Sequence, residues 1–382
     1  MIDLKNYAET NCGIAIDIGT STVKAYLTKK ETPLQNQNFS IEKNIINEIE
    51  EKNAQYLYGD NVISRVMYAH YNGITKLQEA ITFQIATLIK RLNPKEEPFP
   101  IVITGNSVML SILEGLSLES FEKSPFKSPS LFGYYAKIPE FSKNQPIYLP
   151  PAFSAFLGSD ILCAGLYAEY FIKKQSSKME SQFPFLVVDI GTNGEILLWK
   201  ENDIIGTSCA AGPAFEGKNL SRKITGSMAI KYLSNMISDE TIDKTGLILH
   251  QNSKCPLNQE DIRQLQLAKA AIRGGIETLI SETKLNINEI KTCFICGNFG
   301  NALEEKDLLK IGLLPTEFAG KIQYLGNAAG YGACLFLENI NREYQQDFIK
   351  CAKKIATQTK ILELGGNPLF NKNYLSNIDF SI

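Results

Sequence analysis

The tetrapeptide Asp-Ile-Gly-Thr occurs twice, at 17–20 and 189–192, each time between two apolar stretches with the alternation of β-strands. Glycine lets the backbone approach an anion closely, and the N–H groups and hydroxyls of such a turn supply donors. A carboxylate beside bound phosphate is favourable only with a cation such as Mg²⁺ between them. One copy is also ordinary hairpin chemistry, but two copies half a chain apart predict a duplicated domain that binds a polyphosphate from both sides.

The length and the composition favour two domains in the cytoplasm. The chain has 382 residues, 44% of them hydrophobic, and a net charge of −2. Two full cores are possible, and neither nucleic acid nor membrane is expected as a partner. From the first residues no signal peptide is expected. The apolar stretch 152–172 is interrupted by Asp160 and Glu169, as in a buried helix. Eight scattered cysteines suit a reducing compartment, and two histidines exclude a histidine-rich metal site.

The alternation of apolar residues predicts the main elements. Strands are expected at 13–17, 22–28, 100–105, 185–189, 195–200 and 203–208, and helices at 62–92, 107–116, 152–173 and 258–281. The polar stretch 31–60 is expected to be loop and irregular structure. Strands that alternate with helices, with glycine at strand ends, predict an α/β fold.

Six long strings give the chain a family resemblance. They lie at 58–65, 104–107, 189–195, 211–217, 261–273 and 311–315. With them the chain resembles the ATPase module of reductive activators of corrinoid proteins, within the acetate and sugar kinase, Hsp70 and actin (ASKHA) superfamily. The resemblance implies a two-lobed actin-like ATPase fold of duplicated ribonuclease-H-like domains with a central nucleotide cleft. Domain I is expected at 12–184 with a returning helix at 345–358, and domain II at 185–344.

The two hairpins and the resemblance together nominate a nucleotide site. Asp17 and Asp189 are the expected catalytic carboxylates and would share Mg²⁺ through water. The expected phosphate-binding residues are Gly19, Thr20, Ser21, Thr22, Gly191, Thr192, Asn193, Gly194 and Gly212. Glu195 is either a further ligand or an outward strand residue. Glu216 either orients the attacking water or complements a helix N-terminus.

The resemblance also implies an adenosine site. Gly297, Asn298 and Gly300 occupy the place where the superfamily packs adenosine against a strand end. Lys269 and Arg273 would flank the adenine and the ribose, with a solvated basic stripe as the alternative. Cys293 and Cys296 look like a Cys-x-x-Cys metal pair, but residues three apart on a strand point to opposite faces, so both are expected in the core.

In the family, ATP binding and hydrolysis accompany the reduction of cob(II)alamin to cob(I)alamin with electrons from an iron–sulfur cluster. This sequence lacks the cluster-binding cysteine pattern, and it has a short segment, 218–223, where the family has a longer one. We therefore expect ATP and Mg²⁺ but no iron–sulfur cluster in this chain, with a corrinoid protein and a separate ferredoxin as partners. A homodimer is left open.

Two other functions share the hairpins. A small-molecule kinase would need a polar acceptor pocket and a catalytic base, and the long family strings argue against it. A nucleotide-gated regulatory module without a redox role is favoured by the missing cluster pattern and by the short segment after Glu216.

Overall fold

Two six-stranded sheets, one in each of two units, organise the chain. The structure is a computed structural model that describes residues 12–29, 40–95, 99–138, 147–175, 182–201, 203–217, 220–222, 224–250, 255–297, 303–340 and 345–380. The first unit takes in the described chain up to Glu169 together with Ala328–Gln358. The second takes in Tyr170–Asn327 and the described chain from Thr359 onward.

Strands and helices alternate within these residues. The strands are β1 (Cys12–Ile18), β2 (Thr22–Lys29), β3 (Ile45–Lys52), β4 (Ile101–Gly105), β5 (Tyr134–Ala136), β6 (Ile147–Leu149), β7 (Phe185–Ile190), β8 (Gly194–Trp199), β9 (Ile204–Cys209), β10 (Thr292–Cys296), β11 (Ile322–Gly326) and β12 (Lys360–Ile361). The helices are α1 (Ile41–Asn44), α2 (Val62–Asn72), α3 (Thr75–Leu92), α4 (Ser107–Leu113), α5 (Ser159–Gln175), α6 (Gly226–Ser238), α7 (Gln259–Glu282), α8 (Glu305–Lys310), α9 (Ala328–Ile340), α10 (Gln345–Gln358) and α11 (Pro368–Ser376).

The two sheets share the order of five strands and carry the sixth strand at opposite edges. The first is β3-β2-β1-β4-β6-β5, and the second is β11-β10-β7-β8-β9-β12. In each unit the first strand pairs antiparallel with the second and parallel with the fourth. The duplicated mixed α/β fold expected from the sequence is confirmed. Because β1 and β7 lie inside their sheets, covered on both faces, they are apolar runs until an aspartate near the carboxyl end.

Helix α7 packs on one face of the second sheet. Its predicted apolar face is buried in one core cluster with β7 and β8, and it consists of Ile262, Leu265, Ala268, Ile272, Ile276 and Leu279. Burying one leucine or isoleucine stabilises a fold by about 1.5–3 kcal/mol relative to exposure. This packing, more than helix propensity, keeps α7 in place, and the predicted face is confirmed.

The single helix expected at 62–92 is wrong, because two helices occupy this range. Helix α2 ends at Gly73, whose φ is 78°, and α3 begins at Thr75. Glycine adopts this left-handed conformation without a steric penalty, so it ends the first helix. The hydrophobic spacing on both sides of Gly73 concealed the break.

Two further expectations need correction. The stretch 45–52, expected to be irregular, is the edge strand β3. Its Glu48 and Glu50 are compatible with a strand because they pair with Lys24 on β2. Residues 31–39 of the same expectation lie outside the described residues. The helix expected from 152 begins only at Ser159, since 151–158 is irregular.

The units differ from the expected domains in two places: the described residues of 170–184 lie in the second unit, and helix α9 lies in the first. Helix α9 was expected in domain II, but it packs on β1 and β4 of the first unit. A Cβ on Gly13 would lie 3.1 Å from Leu337, and one on Gly330 would lie 2.5 Å from the Tyr26 ring. The small residues of α9 and β1 permit this close approach, which places α9 in the first unit.

Candidate functional site

An acidic pair marks the second hairpin. Asp189 lies near the carboxyl end of β7, opposite Glu195 on β8 and beside Cys296 on β10. Directly opposed side chains of an antiparallel pair lie on the same face of the sheet, about 5 Å apart at Cβ. Two carboxylates in this arrangement repel each other unless a cation reduces the repulsion. The pair therefore suits a site for Mg²⁺ and phosphate.

The electrostatic environment of Asp189 is unfavourable for its charge. Burial, followed by the negative charge of Glu216, raises the pKa of Asp189 to about 6. A nearby cation favours the ionised form and lowers such a pKa, so cation binding would relieve the cost. Carboxyl groups perturbed in this way are enriched at functional sites.

The turn of the second hairpin is tied to Glu216. The N–H of Thr192 donates to Glu216 Oε1 at 3.0 Å, and its hydroxyl donates to the same oxygen at 2.5 Å. The N–H of Gly212 donates to the carbonyl of Thr192 at 2.8 Å, and Gly191 donates to the carbonyl of Asn193 at 3.2 Å. A carboxylate thus accepts the Thr192 donors that were expected to bind phosphate.

The backbone on either side of Glu216 places this residue next to that turn. It ends a 3₁₀ turn, Pro213–Glu216, that begins after Gly212 with φ of 80° and closes at Gly217 with φ of 70°. A Cβ on Gly217 would lie 2.1 Å from the carbonyl oxygen of Ile224, so only glycine fits there. Glu216 thus accepts hydrogen bonds from a hairpin turn, whereas the alternative considered from the sequence was contact with a helix N-terminus.

Gly194 and Glu195 are both enclosed. A Cβ on Gly194 would lie 2.7 Å from Cys209 Sγ and 2.8 Å from Ile272, which gives this glycine a packing role. Glu195 is only 7% exposed, so the outward strand residue considered from the sequence is wrong. Its function as a ligand stays a prediction.

Gly297 lies against the carboxylate of Asp189. Its φ is 93°, and a Cβ there would lie 2.7 Å from Asp189 Oδ1. A backbone without a side chain at this point leaves room beside the acidic group. Asn298 and Gly300 lie outside the described residues, and their predicted contact with adenosine stays a prediction.

Lys269 and Arg273 are held by their own unit. Lys269 is 2% exposed, and its Nζ donates to the carbonyl of Asp379 at 2.8 Å and lies 4.7 Å from the centre of the Phe380 ring. Burial, followed by the charge of Arg273, lowers its pKa to about 8. Arg273 pairs with Glu277 at 2.6 Å. The alternative that Lys269 belongs to a solvated basic stripe is therefore wrong. That Lys269 and Arg273 flank adenosine stays a prediction.

The first hairpin places its candidate residues near one turn. Asp17 lies near the end of β1, opposite Lys24 on β2, and Gly19, Thr20 and Ser21 form the turn before Thr22 begins β2. A Cβ on Gly19 would lie 2.9 Å from the carbonyl oxygen of Thr22, so glycine is required. All of these residues except Lys24 were nominated from the sequence.

Further residues around this turn were not nominated from the sequence, and they include Asn53, Arg65, Asn106 and Asp160. Asn53 and Arg65 donate to its carbonyl groups, and the Asn106 amide donates to Thr20 Oγ1 at 3.3 Å. A Cβ on Gly158 would lie 2.4 Å from Asn106 Cα and 2.5 Å from Asp160 Oδ1, so Asp160 lies close to Asn106. Burial raises the pKa of the Cys163 thiol, and the charges of Asp160 and Asp17 add to the shift. Two features of the sequence could have indicated these residues. Arg65 is a charged residue in a helical apolar pattern, and Asp160 is a charged residue inside an apolar stretch.

The described residues contain no group of three or more histidine, cysteine, aspartate or glutamate side chains arranged to hold a metal ion. Mg²⁺ commonly keeps several waters and few direct carboxylates, so Asp17 and Asp189 remain the predicted ligands, through water. Cys293 lies in the core with α7, whereas Cys296 faces the other side of β10, so the predicted opposite orientation is confirmed. Among the helices of the described ranges, none has the length and apolar character to span a membrane.

Two family models match the chain. One, described as the C-terminal domain of RACo, the ASKHA domain, matches residues 184–222 and 247–381. The other, described as the RACo middle region, matches residues 12–174. The two matches include both hairpins. Residues 223–246, which begin at the end of the short segment after Glu216, are not included.

Similar proteins of known name include two corrinoid-related enzymes. The corrinoid activation enzyme RamQ of Eubacterium limosum is 26% identical, over 96% of this chain and 70% of its own length. The [Co(II) methylated amine-specific corrinoid protein] reductase of Methanosarcina barkeri is 22% identical, over 96% of this chain and 77% of its own length.

A solved structure has the same fold. It is described as a reductive activator for corrinoid, iron-sulfur protein, and it is 25% identical with a TM-score of 0.79. The comparison covers 97% of this chain but 66% of that protein, so this chain spans about two thirds of its length. Together with the two family models, which match both units, this places the chain in the RACo family, the reductive activators of corrinoid proteins.

Proposed function

We propose that the chain binds and hydrolyses ATP with Mg²⁺ and thereby supports the reduction of a corrinoid protein from cob(II)alamin to cob(I)alamin. Two relatives are named for activation or reduction of corrinoid proteins. The observation that carries the proposal is the second hairpin, where a perturbed Asp189 and the Thr192 donors meet within the ASKHA match. These are the groups that a nucleotide phosphate with its cation needs.

The residues of the second hairpin would divide the work. Asp189 would hold the cation through water, with Asp17 of the first hairpin as the predicted second carboxylate. The Glu216 carboxylate would move off Thr192, whose N–H and hydroxyl would then donate to a phosphate oxygen. Glu216 would thereby become available to orient water. Bound Mg-ATP supplies a terminal phosphoryl group whose charge is neutralised by the cation, so the protein contributes mainly position and electrostatics.

Reduction of cob(II)alamin to cob(I)alamin takes up one electron from a low-potential donor. We propose as this donor a separate iron–sulfur protein, the ferredoxin expected as a partner. The chain would contribute the nucleotide-dependent step, in which binding favours a form of the corrinoid protein that accepts the electron. Such a contribution requires different affinities for that protein with and without nucleotide.

An assay of cobalt reduction tests the proposal. We expect cob(I)alamin to form only when the chain, Mg-ATP, a low-potential donor such as titanium(III) citrate and a cob(II)alamin-bearing corrinoid protein are all present. Absorption spectroscopy under anoxic conditions follows the loss of the cob(II)alamin band. Reduction that proceeds equally without ATP would contradict the proposal, and so would wild-type protein that does not bind Mg-ATP.

A nucleotide-gated regulatory module is the second candidate. The family match omits residues 223–246, directly after the short segment that follows Glu216, so this part of the sequence departs from the family model. This function would show ATP-dependent binding of a partner protein without an effect of ATP on cobalt reduction.

Glu216→Gln is expected to strengthen Mg-ATP binding about fivefold and to slow hydrolysis. The change removes a negative charge beside the phosphate-binding turn, an effect of about 1 kcal/mol in a partly solvated site. Hydrolysis slows because an amide no longer accepts a proton from water. Calorimetry measures the affinity, and phosphate release measures the turnover.

Glu201→Gln is the matched control, since Glu201 is an exposed glutamate in the β8–β9 connection of the same unit. It is expected to leave both quantities unchanged. Weaker binding with normal turnover in Glu216→Gln would show that Glu216 only maintains the turn.

A further inference from the structure

The turn of the first hairpin is held by two residues from outside the hairpin. Asn53 Nδ2 donates to the carbonyl of Gly19 at 2.8 Å, and the backbone N–H of Asn53 donates to the carbonyl of Ser21 at 2.9 Å. Arg65 Nη2 donates to the carbonyl of Thr20 at 2.6 Å. Three successive carbonyl groups of the turn therefore accept hydrogen bonds from residues outside the hairpin.

The hydrogen bonds to these carbonyl groups also determine where the N–H groups of the turn point. In a planar trans peptide the N–H points opposite to the C=O of the same unit. The N–H groups of Thr20, Ser21 and Thr22 belong to the three peptides whose carbonyls are held, so they point away from Asn53 and Arg65. Successive N–H groups on one side of a turn form a concavity that binds anions.

Arg65 is built into the protein as a rigid clamp. Its side chain is fully buried, with 0% exposure. Besides Thr20, Nε donates to the carbonyl of Gly59 at 3.0 Å, and Nη1 donates to Gln55 Oε1 at 3.1 Å. Nη1 also lies 2.8 Å from Met109 Sδ. The planar guanidinium reaches these partners together, which a single lysine nitrogen cannot do.

The position of Arg65 in α2 allows its side chain to contact these partners. Asn61 and Ser64 form a capping box at the start of the helix, which fixes its first turn. Arg65 lies in that buried face beside Val62 and Val66. A buried cation is costly unless it is well bonded, so a purely structural contact to one carbonyl would be met more simply by a neutral amide such as that of Asn53.

We propose that Arg65 is a positioning residue for phosphate binding at the first hairpin. It holds the Thr20 carbonyl so that the turn presents its N–H groups to the polyphosphate, and its positive charge behind the turn favours the anion. This inference rests on the proposed function, because it requires that the turn binds the phosphate of ATP.

Affinity for Mg-ATP in Arg65→Met and Arg65→Lys tests the inference. The methionine variant keeps the apolar volume and removes the clamp, so we expect about tenfold weaker binding, in keeping with the loss of a charged hydrogen bond. The lysine variant keeps the charge and is expected to recover part of the affinity, to within about threefold of the wild type. Calorimetry measures the affinities, and thermal denaturation measures the stability of each variant.

Ile85→Ala is the control for general destabilisation. Ile85 is fully buried in the core of the same unit, on α3, so its truncation lowers the melting temperature without touching the turn. Its affinity for Mg-ATP, measured well below the melting temperature, is expected to match the wild type.

The outcomes separate this inference from the proposed function. Wild-type protein without affinity for Mg-ATP would refute the proposed function. Wild-type binding combined with Arg65→Met within twofold of it would refute the role of Arg65 alone, as would an equal loss in Ile85→Ala. If Arg65→Met does not fold, Arg65→Lys decides, since affinity equal to that of the wild type would then refute the clamp.

Discussion

Asp189→Asn is expected to reduce ATP hydrolysis at least about a hundredfold and, without nucleotide at pH 7, to stabilise the protein. The activity falls because the amide cannot hold the cation. The stability rises because burial and Glu216 raise the pKa of Asp189 from 3.8 to about 6 in the folded state. The native protein therefore binds the proton more tightly than the unfolded chain, and an ionised Asp189 opposes folding by up to about 3 kcal/mol.

The sign of this effect defines its pH dependence. Below about pH 4 the carboxyl group is protonated in both states, so the wild type and Asp189→Asn should be equally stable. Between pH 4 and 6 the wild type should lose stability relative to the variant, and above pH 6 the difference should be constant. Urea denaturation at pH 4, 5, 6 and 7.5 measures this difference.

Asp203→Asn is the control, since Asp203 pairs with Lys200 at the surface of the same unit. It should leave hydrolysis unchanged and should show no such gain in stability. Hydrolysis that persists in Asp189→Asn would exclude this carboxylate from the nucleotide site. A variant less stable than the wild type at pH 7 would show that the charge of Asp189 is already compensated.

Gly297→Ala is expected to weaken Mg-ATP binding by a factor of about ten or more. The new methyl group would lie 2.7 Å from Asp189 Oδ1, so the carboxylate must move from the position that serves the cation. The left-handed backbone, with φ of 93°, adds a stability cost of about 1–2 kcal/mol for a residue with a side chain. Calorimetry and thermal denaturation measure the two effects.

Gly320→Ala separates strain from steric conflict. Gly320 has a similarly left-handed φ of 74°, in the same unit, but a Cβ there would have no atom within 4 Å. The control should lose comparable stability and keep the affinity for Mg-ATP. Equal affinities in both variants would show that Gly297 does not border the nucleotide.

The hairpins were predictable because their chemistry is local. Asp-Ile-Gly-Thr contains the turn glycine and the strand-terminal carboxylate within four residues, and both copies form antiparallel hairpins. Helix α7 was equally accessible, since a helix that covers a sheet must repeat its apolar residues at helical spacing. Short hairpin motifs and helices buried on one face can therefore be predicted from the sequence.

The residues that support the hairpins were not predictable in this way. Asn53 and Arg65 reach the first turn from elements that lie 34 and 45 residues further along the chain. Glu216 reaches Thr192 across 24 residues and depends on two glycines with positive φ. Such contacts arise from tertiary packing, and a single sequence does not state which distant side chain meets which carbonyl.

The burial of Lys269 shows the same limit. At the surface of a helix, Lys269 and Arg273 form a basic pair by spacing alone. In the fold, the segment that contains Asp379 and Phe380 covers Lys269 and lowers its pKa to about 8. A strand-and-helix segment after 359 returns to the second unit, and no local pattern near 269 indicates it.

The assignment of α9 to the first unit has a consequence for synthesis on the ribosome. The chain passes between the units three times, after Glu169, after Asn327 and after Gln358. The face of β1 and β4 that α9 covers emerges early, while its cover emerges only after almost the whole second unit. At roughly 5–20 residues per second, that apolar face waits on the order of tens of seconds for α9. The first unit therefore cannot complete its fold until most of the second unit has been made. We expect nascent chains of this protein to depend on chaperones during that interval.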